Sequence, residues 1–156
     1  MTFQFPERCI EGLIKAACIA DSVADSALTP RYRTGWASEA GDTGEADSTR
    51  EQVTFPLISI MAAPSTPTGP GLADYTVPVE IEIWTDATGR DPNAVRLASL
   101  YQQVREVLET SANNGLTDSD WCGIVLTIND GGARMSDNRY HLVTIPCTAN
   151  MAAADT

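Results

Sequence analysis

The side chains that could carry out acid–base chemistry are few, and none of them belongs to a recognisable catalytic motif. The chain has 156 residues and one histidine, His141, which falls in an alternating apolar segment typical of a strand. A Ser–His–Asp or Cys–His site would need this histidine, and no flanking motif supports such a site. A packed or solvent-facing strand residue is the commoner role of a histidine in this position.

Two pairs of carboxylates have i, i+2 spacing. Asp118 and Asp120 precede Trp121, while Glu80 and Glu82 lie on the polar register of a predicted strand. Paired carboxylates do acid–base work when a pocket drives their pKa values apart. On an exposed strand face, this spacing is more often part of a solvated surface. Glu80 and Glu82 would instead project into an acidic channel if the sheet lines one, and the sequence does not decide between the two.

The four cysteines and the Gly131-Gly132 pair lack the spacing of a metal or phosphate site. Cys9 and Cys18 are not part of a CxxC pair, and their separation matches no common zinc motif. Cys18, Cys122 and Cys147 fall in apolar runs and are predicted to be reduced core residues. No helix follows Gly131-Gly132, so a turn is predicted there. We therefore predict no catalytic, cofactor-binding or metal-binding residues, no cofactor and no enzymatic activity.

The charge balance excludes one class of partner. The formal net charge is −11, and Lys15 is the only lysine among ten basic residues. Broad binding to phosphate backbones depends on Lys and Arg, so this composition argues against it. Plain solubility would also explain the charge. No secretory signal opens the sequence, and no apolar segment approaches the roughly 20 residues needed to span a bilayer.

Hydrophobic periodicity predicts an α+β domain that would position these side chains. Asp91 and Pro92 form a strong helix start, and Gly115 is a typical residue just after a helix end. We predict a mainly antiparallel four-stranded sheet with two helices packed on one face. The predicted helices and strands cover residues 6–20, 53–62, 76–84, 91–115, 121–128 and 139–148.

The sequence predicts a single domain at residues 1–150 and a frayed C-terminal tail at 151–156. Residues 21–52 are predicted to form a long irregular arm, and residues 129–138 the tip of a hairpin. Within the arm, the segment from Pro30 to Trp36 alternates arginines with aromatic residues. It could form a short strand, dock on a neighbouring subunit, or remain a surface loop. Residues 64–71 are predicted to be a connector without regular structure.

Trp84 interrupts the polar register of the predicted strand at 76–84. The odd positions of that strand are already apolar, so Trp84 lies on the opposite face. A large aromatic there predicts burial against another element or another subunit.

The order of these elements resembles that of the tail terminator (tail-completion) proteins of long-tailed bacteriophages, over about residues 10–147. An N-terminal helix is followed by an irregular segment, the strand Val77-Pro78-Val79-Glu80-Ile81-Glu82-Ile83-Trp84-Thr85 and a polar turn. A helix with the pattern Leu97…Leu100…Val104…Val107-Leu108 and a closing hairpin complete it. The resemblance implies a structural virion protein whose homo-hexameric ring caps the tail tube. Such a ring ends tail polymerisation and provides the surface that joins the tail to the head.

The resemblance also implies partners and a location. The partners would be further copies of the chain, the tail tube protein and a head–tail connector (neck) protein, with DNA only as passing cargo and no membrane. The location would be the tail or neck of the virion, after assembly in the host cytoplasm. Glu80 and Glu82 are candidates for an acidic lumen. Ring contacts join different faces of each subunit, and the residues predicted to make subunit or partner contacts are Arg31, Tyr32, Arg33, Trp36, Arg50, Trp84, Arg134 and Met135.

Three alternatives stay open at this level. The chain could be another neck or connector protein of the head–tail junction. It could be a small cytosolic binding domain that uses a sheet edge near Pro56 or Pro78. It could also be a small enzyme with a carboxylate site formed by Asp118, Asp120 and His141, which would require these three side chains to meet in one pocket.

Overall fold

The computed structural model of the protein describes residues 5–23, 30–34, 56–68, 74–86, 92–129, 132, 134–136 and 140–153. Two α-helices and seven β-strands are formed by these residues. In chain order they are α1 (Pro6–Ala20), β1 (Arg31–Thr34), β2 (Leu57–Ala62), β3 (Thr66–Thr68), β4 (Asp74–Asp86), α2 (Pro92–Asn114), β5 (Trp121–Ile128), β6 (Arg134–Ser136) and β7 (Tyr140–Ala153).

The strands form one sheet in the order β1-β2-β4-β7-β5, in which β3 also pairs with β4 and β6 with β7. The β1–β2 pair is parallel, and the other pairs are antiparallel. At the centre, β4 and β7 pair continuously from Asp74 opposite Ala152 to Asp86 opposite Tyr140. The α+β class is therefore confirmed, while the predicted number of four strands is wrong. Three short strands, β1, β3 and β6, account for the difference.

Alternation along the strands produces the core. In β4 the odd positions from Val77 to Ile83 are buried and join one apolar cluster with residues of both helices. Because side chains alternate between the two sides of a strand, this cluster marks the face of the sheet that the helices cover. The even positions of β4 form the opposite face, which we call the outer face.

The two predicted helices are confirmed, and so is the end of α2. Gly115 has a φ of +76° and its N–H donates to the carbonyl oxygen of Ser111 at 2.8 Å. A residue in the left-handed conformation commonly ends a helix at this position, and glycine adopts that conformation without steric strain. Leu116, which follows, packs against the core.

Two carboxylates of α1 fix the chain where it leaves β2. Glu11 is almost completely buried and accepts a hydrogen bond from the N–H of Ala62 at 3.2 Å. One turn earlier, Glu7 accepts from the N–H of Ser65 at 2.6 Å. Burial would raise the pKa of Glu7, but the hydrogen bonds from Ser65 outweigh it and hold that pKa below its ordinary value. The helix is thus attached to the sheet by polar contacts as well as by its apolar face.

Segments predicted to be irregular supply the three short strands. Residues 31–34 of the predicted arm form β1, while the predicted connector and the predicted hairpin tip contain β3 and β6. Pro67 is compatible with β3 because an edge strand tolerates a missing N–H. Strand β7 continues to Ala153, so residues 151–153 belong to the sheet instead of the predicted frayed tail. The rest of the predicted arm, apart from residues 21–23 and 30, and residues 154–156 lie outside the described residues.

A bulge in β5 changes which side chains face the core. The register of β5 against β7 shifts between Cys122 and Val125, beside Gly123 with its φ of +55°. The extra residue turns Trp121 inward, where its ring and that of Tyr75 pack nearly perpendicular to each other with 5.5 Å between ring centroids. Cys122 is consequently exposed, and its predicted place in the core is wrong. Buried Cys18 and Cys147 confirm the prediction for the other two cysteines.

Candidate assembly surface

The outer face of the sheet is built from rows of side chains that run across neighbouring strands. One row contains Arg33 of β1, Ser59 of β2, Glu82 of β4 and Thr144 of β7. Since partners in register point to the same side of a sheet, these four side chains share the outer face. The predicted partner-contact residues Arg33 and Trp84 therefore lie on the same surface as the predicted acidic residues Glu80 and Glu82.

Glu82 is the ionisable group at the centre of this surface. The indole Nε1–H of Trp84 donates to a carboxylate oxygen of Glu82 at 3.0 Å. Burial raises the pKa of Glu82, and Glu80 contributes in the same direction, whereas Trp84 and Arg33 lower it. The net result is a raised pKa, so the charged form of Glu82 is less favourable here than in water.

The next row shows that this end of the outer face is largely withdrawn from solvent. Trp84 lies between Leu57 and Leu142 in register. Leu57 is only 4% exposed and Leu142 is 7% exposed, although both point away from the two helices. Trp84 itself keeps part of its surface exposed. This row gives the outer face an apolar strip beside its charged row.

The opposite end of the outer face is more exposed and is rich in hydroxyl and amide groups. Thr76 donates from its hydroxyl to the amide oxygen of Asn150 at 2.9 Å, and the amide of Asn129 donates to the hydroxyl of Thr148 at 2.8 Å. Val125 is 52% exposed. The outer face thus changes along the strands from an apolar and charged end to a polar, hydroxyl-rich end.

The remaining predicted contact residues are distributed over several places. Tyr32 points to the helix side, where it packs against the core and burial raises its pKa. Arg31 and Met135 are in register with Leu57 and Leu142 of the outer-face rows. Arg134 is exposed and lines a groove beside α2. The predicted contacts Trp36 and Arg50 lie outside the described residues.

The residues of the enzyme alternative are not brought together. Asp120 precedes Trp121, which pairs with Ala153 at one end of β7, and His141 lies at the other end. Twelve residues of extended strand separate those ends by roughly 40 Å. The carboxylate of Asp118 instead accepts the N–H of Asp120 at 2.8 Å.

The buried thiols are poor nucleophiles and poor metal ligands at neutral pH. Burial raises the pKa of Cys9 to about 12, with the carboxylates of Asp118 and Asp120 adding to the effect. Burial likewise raises the pKa of Cys18 and of Cys147 to about 12. A thiol with such a pKa remains protonated, and only the thiolate attacks or binds a metal. Within the described part of the chain, no three His, Cys, Asp or Glu side chains are grouped so that they could hold a metal ion.

Neither helix in the described part of the chain is long and apolar enough to cross a membrane.

No protein-family model matches the sequence, and no curated protein matches it.

Sequence reasoning identified the charged members of the outer face and missed its buried members. Leu57, Ser59, Leu142 and Thr144 were not singled out, although Leu142 shares with Trp84 the signal of a large apolar residue on a polar register. The groove beside α2 was missed as well, because its walls come from α2 and from strands distant in sequence.

Proposed function

We propose that this chain is a structural virion protein that caps a phage tail tube as a ring, ends tail polymerisation and offers the surface for head–tail joining. The observation that carries the proposal is the outer face: helices cover one side of the sheet, and the other side presents the partly exposed ring of Trp84, set between two buried leucines, beside the charged row. Such a two-part surface is suited to contacts with other protein chains, which combine an apolar centre with polar surroundings.

The charge of the molecule supports this role. A ring through which DNA passes benefits from an acidic wall, because cations there would hold the genome by releasing counterions from its phosphates. The chain has a net charge of −11, and Glu80 and Glu82 lie on adjacent rows of the outer face. Exposed Glu80 is the proposed lumen wall, and the partly buried Glu82 borders it on the side of the subunit contact.

The raised pKa of Glu82 supports a role for the outer face in assembly. A carboxylate that is partly buried beside a tryptophan destabilises the isolated subunit in its charged form. Arg33 in the same row already offsets part of this effect, and an arginine from a neighbouring subunit would offset more of it. Charge pairs of this kind select partners and orientation in protein interfaces.

The test is the mass of the protein in solution and its behaviour on purified tail tubes. Light scattering on a size-exclusion column, followed by negative-stain imaging, is expected to show six-fold rings, either free or at tube ends. Tubes lengthened with fresh tube protein should stop growing at ends that carry the ring. Uncapped growth in the presence of excess protein would overturn the proposal. Binding to head connectors without binding to tube ends would instead identify a neck protein.

A further inference from the structure

A groove with arginines in its walls runs between α2 and the strands β6 and β7, on the helix side of the sheet. One part encloses about 250 Å³ and is lined in part by Tyr101, Arg105 and Pro146. A second part encloses about 270 Å³ and is lined by Leu97, Ala98, Tyr101, Arg134 and Val143. Tyr101 and Val143 line both parts, so the two parts lie next to each other, and together we call them the groove.

The groove exists because the chain passes very close to β7 between β5 and β6. A Cβ on Gly132 would collide with the carbonyl oxygen of Thr144, so only glycine fits there without movement of the backbone. Just before it, the N–H of Asn129 donates to the carbonyl oxygen of Pro146 at 2.8 Å. These contacts hold one wall of the groove against the sheet, while α2 forms the other wall.

The chemistry of the groove is that of an anion site with an apolar floor. Leu97, Tyr101 and Val143 supply the apolar surface. Arg105 donates from Nε to Glu109 at 3.1 Å and from Nη1 to the hydroxyl of Tyr101 at 2.9 Å. A guanidinium has five N–H donors, so these two partners leave three N–H groups for another acceptor. The side chain of Arg105 is 39% exposed, and it can therefore be reached from solvent.

Arg105 is also held in a fixed position. The hydroxyl of Tyr101 and the carboxylate of Glu109 bind the guanidinium from one turn before and one turn after it on α2. A guanidinium that is already oriented loses less freedom when it binds a carboxylate, and its planar donors match two carboxylate oxygens. Arg134 adds a second, exposed positive charge at the other part of the groove.

The ligand with the best charge match is a second copy of the same chain. The protein has 21 acidic and only 10 basic residues, so each copy presents many carboxylates and few cations. Two of the ten basic residues of the protein line this groove, so positive charge is concentrated there. A nucleic acid is a poor candidate, because broad binding to a phosphate backbone needs more Lys and Arg than the two arginines of this groove.

We infer that this groove is the receiving half of a head-to-tail contact between two copies of the chain, and that it binds a carboxylate-bearing, partly apolar segment of the neighbouring copy. The inference rests on the proposed ring, since rings close through contacts between two different surfaces of each subunit. The groove is one of those two surfaces.

The experiment compares two ways of damaging the groove, each with a matched control on α1. The double variant Arg105→Gln with Arg134→Gln removes two positive charges from the groove, and Arg8→Gln with Lys15→Gln removes two from α1. Ala98→Trp fills the groove from an exposed position without a change of charge, and Ala16→Trp adds the same bulk at an exposed position of α1. Circular dichroism identifies variants that fold as the original chain does.

Association is then measured by light scattering over a range of protein concentrations, and on tail tubes by counting bound subunits. Both groove variants should associate about tenfold or more weakly than the original chain, while both α1 variants should match it. Added salt should weaken association of the original chain more than that of the arginine variant. Equal association of groove and α1 variants would overturn the inference, as would no self-association of the original chain in solution or on tubes.

Failure of this inference can be told apart from failure of the proposed function. If the arginine variant caps tubes with the same subunit number as the original chain, the groove is not the contact, and the capping role stands. If association depends on the groove but the protein never binds tube ends, the contact stands and the capping role is overturned.

Discussion

The two faces of the sheet use the same strands in different ways. On the helix side, β4 places Val77, Val79, Ile81 and Ile83 in one buried cluster with both helices. On the outer face, the same strand alternates exposed, charged and aromatic residues, and burial there is limited to one end. The helix side therefore stabilises the fold, whereas the contribution of the outer-face side chains depends on what they contact.

The largest expected effect comes from the helix side. Ile81→Ala should lower the free energy of unfolding by about 2–5 kcal/mol, because Ile81 is completely buried and its truncation leaves a cavity. Urea denaturation followed by circular dichroism measures it. Glu80→Ala, one residue away on the outer face, is the control and should change the same quantity by less than about 0.5 kcal/mol. Similar losses of unfolding free energy from both substitutions would contradict the conclusion that the helix side contributes more to stability than the outer face.

The second effect concerns the polar attachment of α1. Glu11→Ala should lower the free energy of unfolding by about 1–3 kcal/mol, because it leaves the buried N–H of Ala62 without its carboxylate acceptor. Glu11→Gln keeps an oxygen in place and should be milder. Urea denaturation of the two variants measures the difference in their free energies of unfolding. An equally large loss for Glu11→Gln would show that the negative charge of Glu11, and not its hydrogen-bond acceptor, provides the stabilisation.

The third effect appears only in acid. The pKa of Glu7 is lower in the folded protein than its ordinary value of 4.5, so the folded state binds the proton less tightly than the unfolded state. The stabilisation is therefore present above about pH 4.5 and is lost as the pH falls through the lowered pKa. Thermal unfolding from neutral to acidic pH should show a smaller acid-induced loss for Glu7→Gln than for the original chain. Parallel curves for the two proteins would contradict it.

The smallest effect on the stability of the isolated chain is expected at Glu82, where substitution should stabilise the fold instead of destabilising it. The pKa of Glu82 is raised on folding, so its charge destabilises the folded state as the pH rises above its ordinary range. Glu82→Gln should therefore stabilise the subunit at neutral pH by about 0.5 kcal/mol, and the gain should vanish in acid, where the carboxyl is protonated. Thermal unfolding at both pH values measures this.

The sharpest contrast between the faces would come from combining that result with assembly. If the outer face makes the proposed contacts, Glu82→Gln should raise the melting temperature of the subunit and still weaken ring formation, measured by light scattering. A variant that is more stable and still assembles normally would show that Glu82 is not needed for assembly.

Much of the fold could be predicted because the signals are local. The helix start at Pro92, the stop at Gly115 and the alternation in β4 each depend on backbone chemistry within a few residues. The bounds of α1 and β5 follow from the same kind of pattern. Strands β1, β3 and β6 were harder, because three or four residues are too few for a period to be visible, and their stability comes from the long strands beside them.

The candidate surfaces were predictable only in part. The charges of Glu80, Glu82 and Arg33 were visible in the sequence, but their rows depend on the register between strands. Tyr32 was grouped with its arginine neighbours in sequence, and the alternation of β1 sends it to the opposite face. The groove between α2 and β7 has no local signal, since its walls come from separate parts of the chain.

Composition and the periods of 3.6 and 2 residues were enough to predict the class of fold, the acidic charge, the two helices and the inward-facing residues of β4. Three features needed the folded chain: Trp121 turns inward while Cys122 turns out, Glu11 accepts the N–H of Ala62, and Arg105 and Arg134 line neighbouring parts of the groove. Each of these depends on a bulge, a helix docking or a strand register that joins residues far apart in the chain, and no local pattern encodes such a meeting.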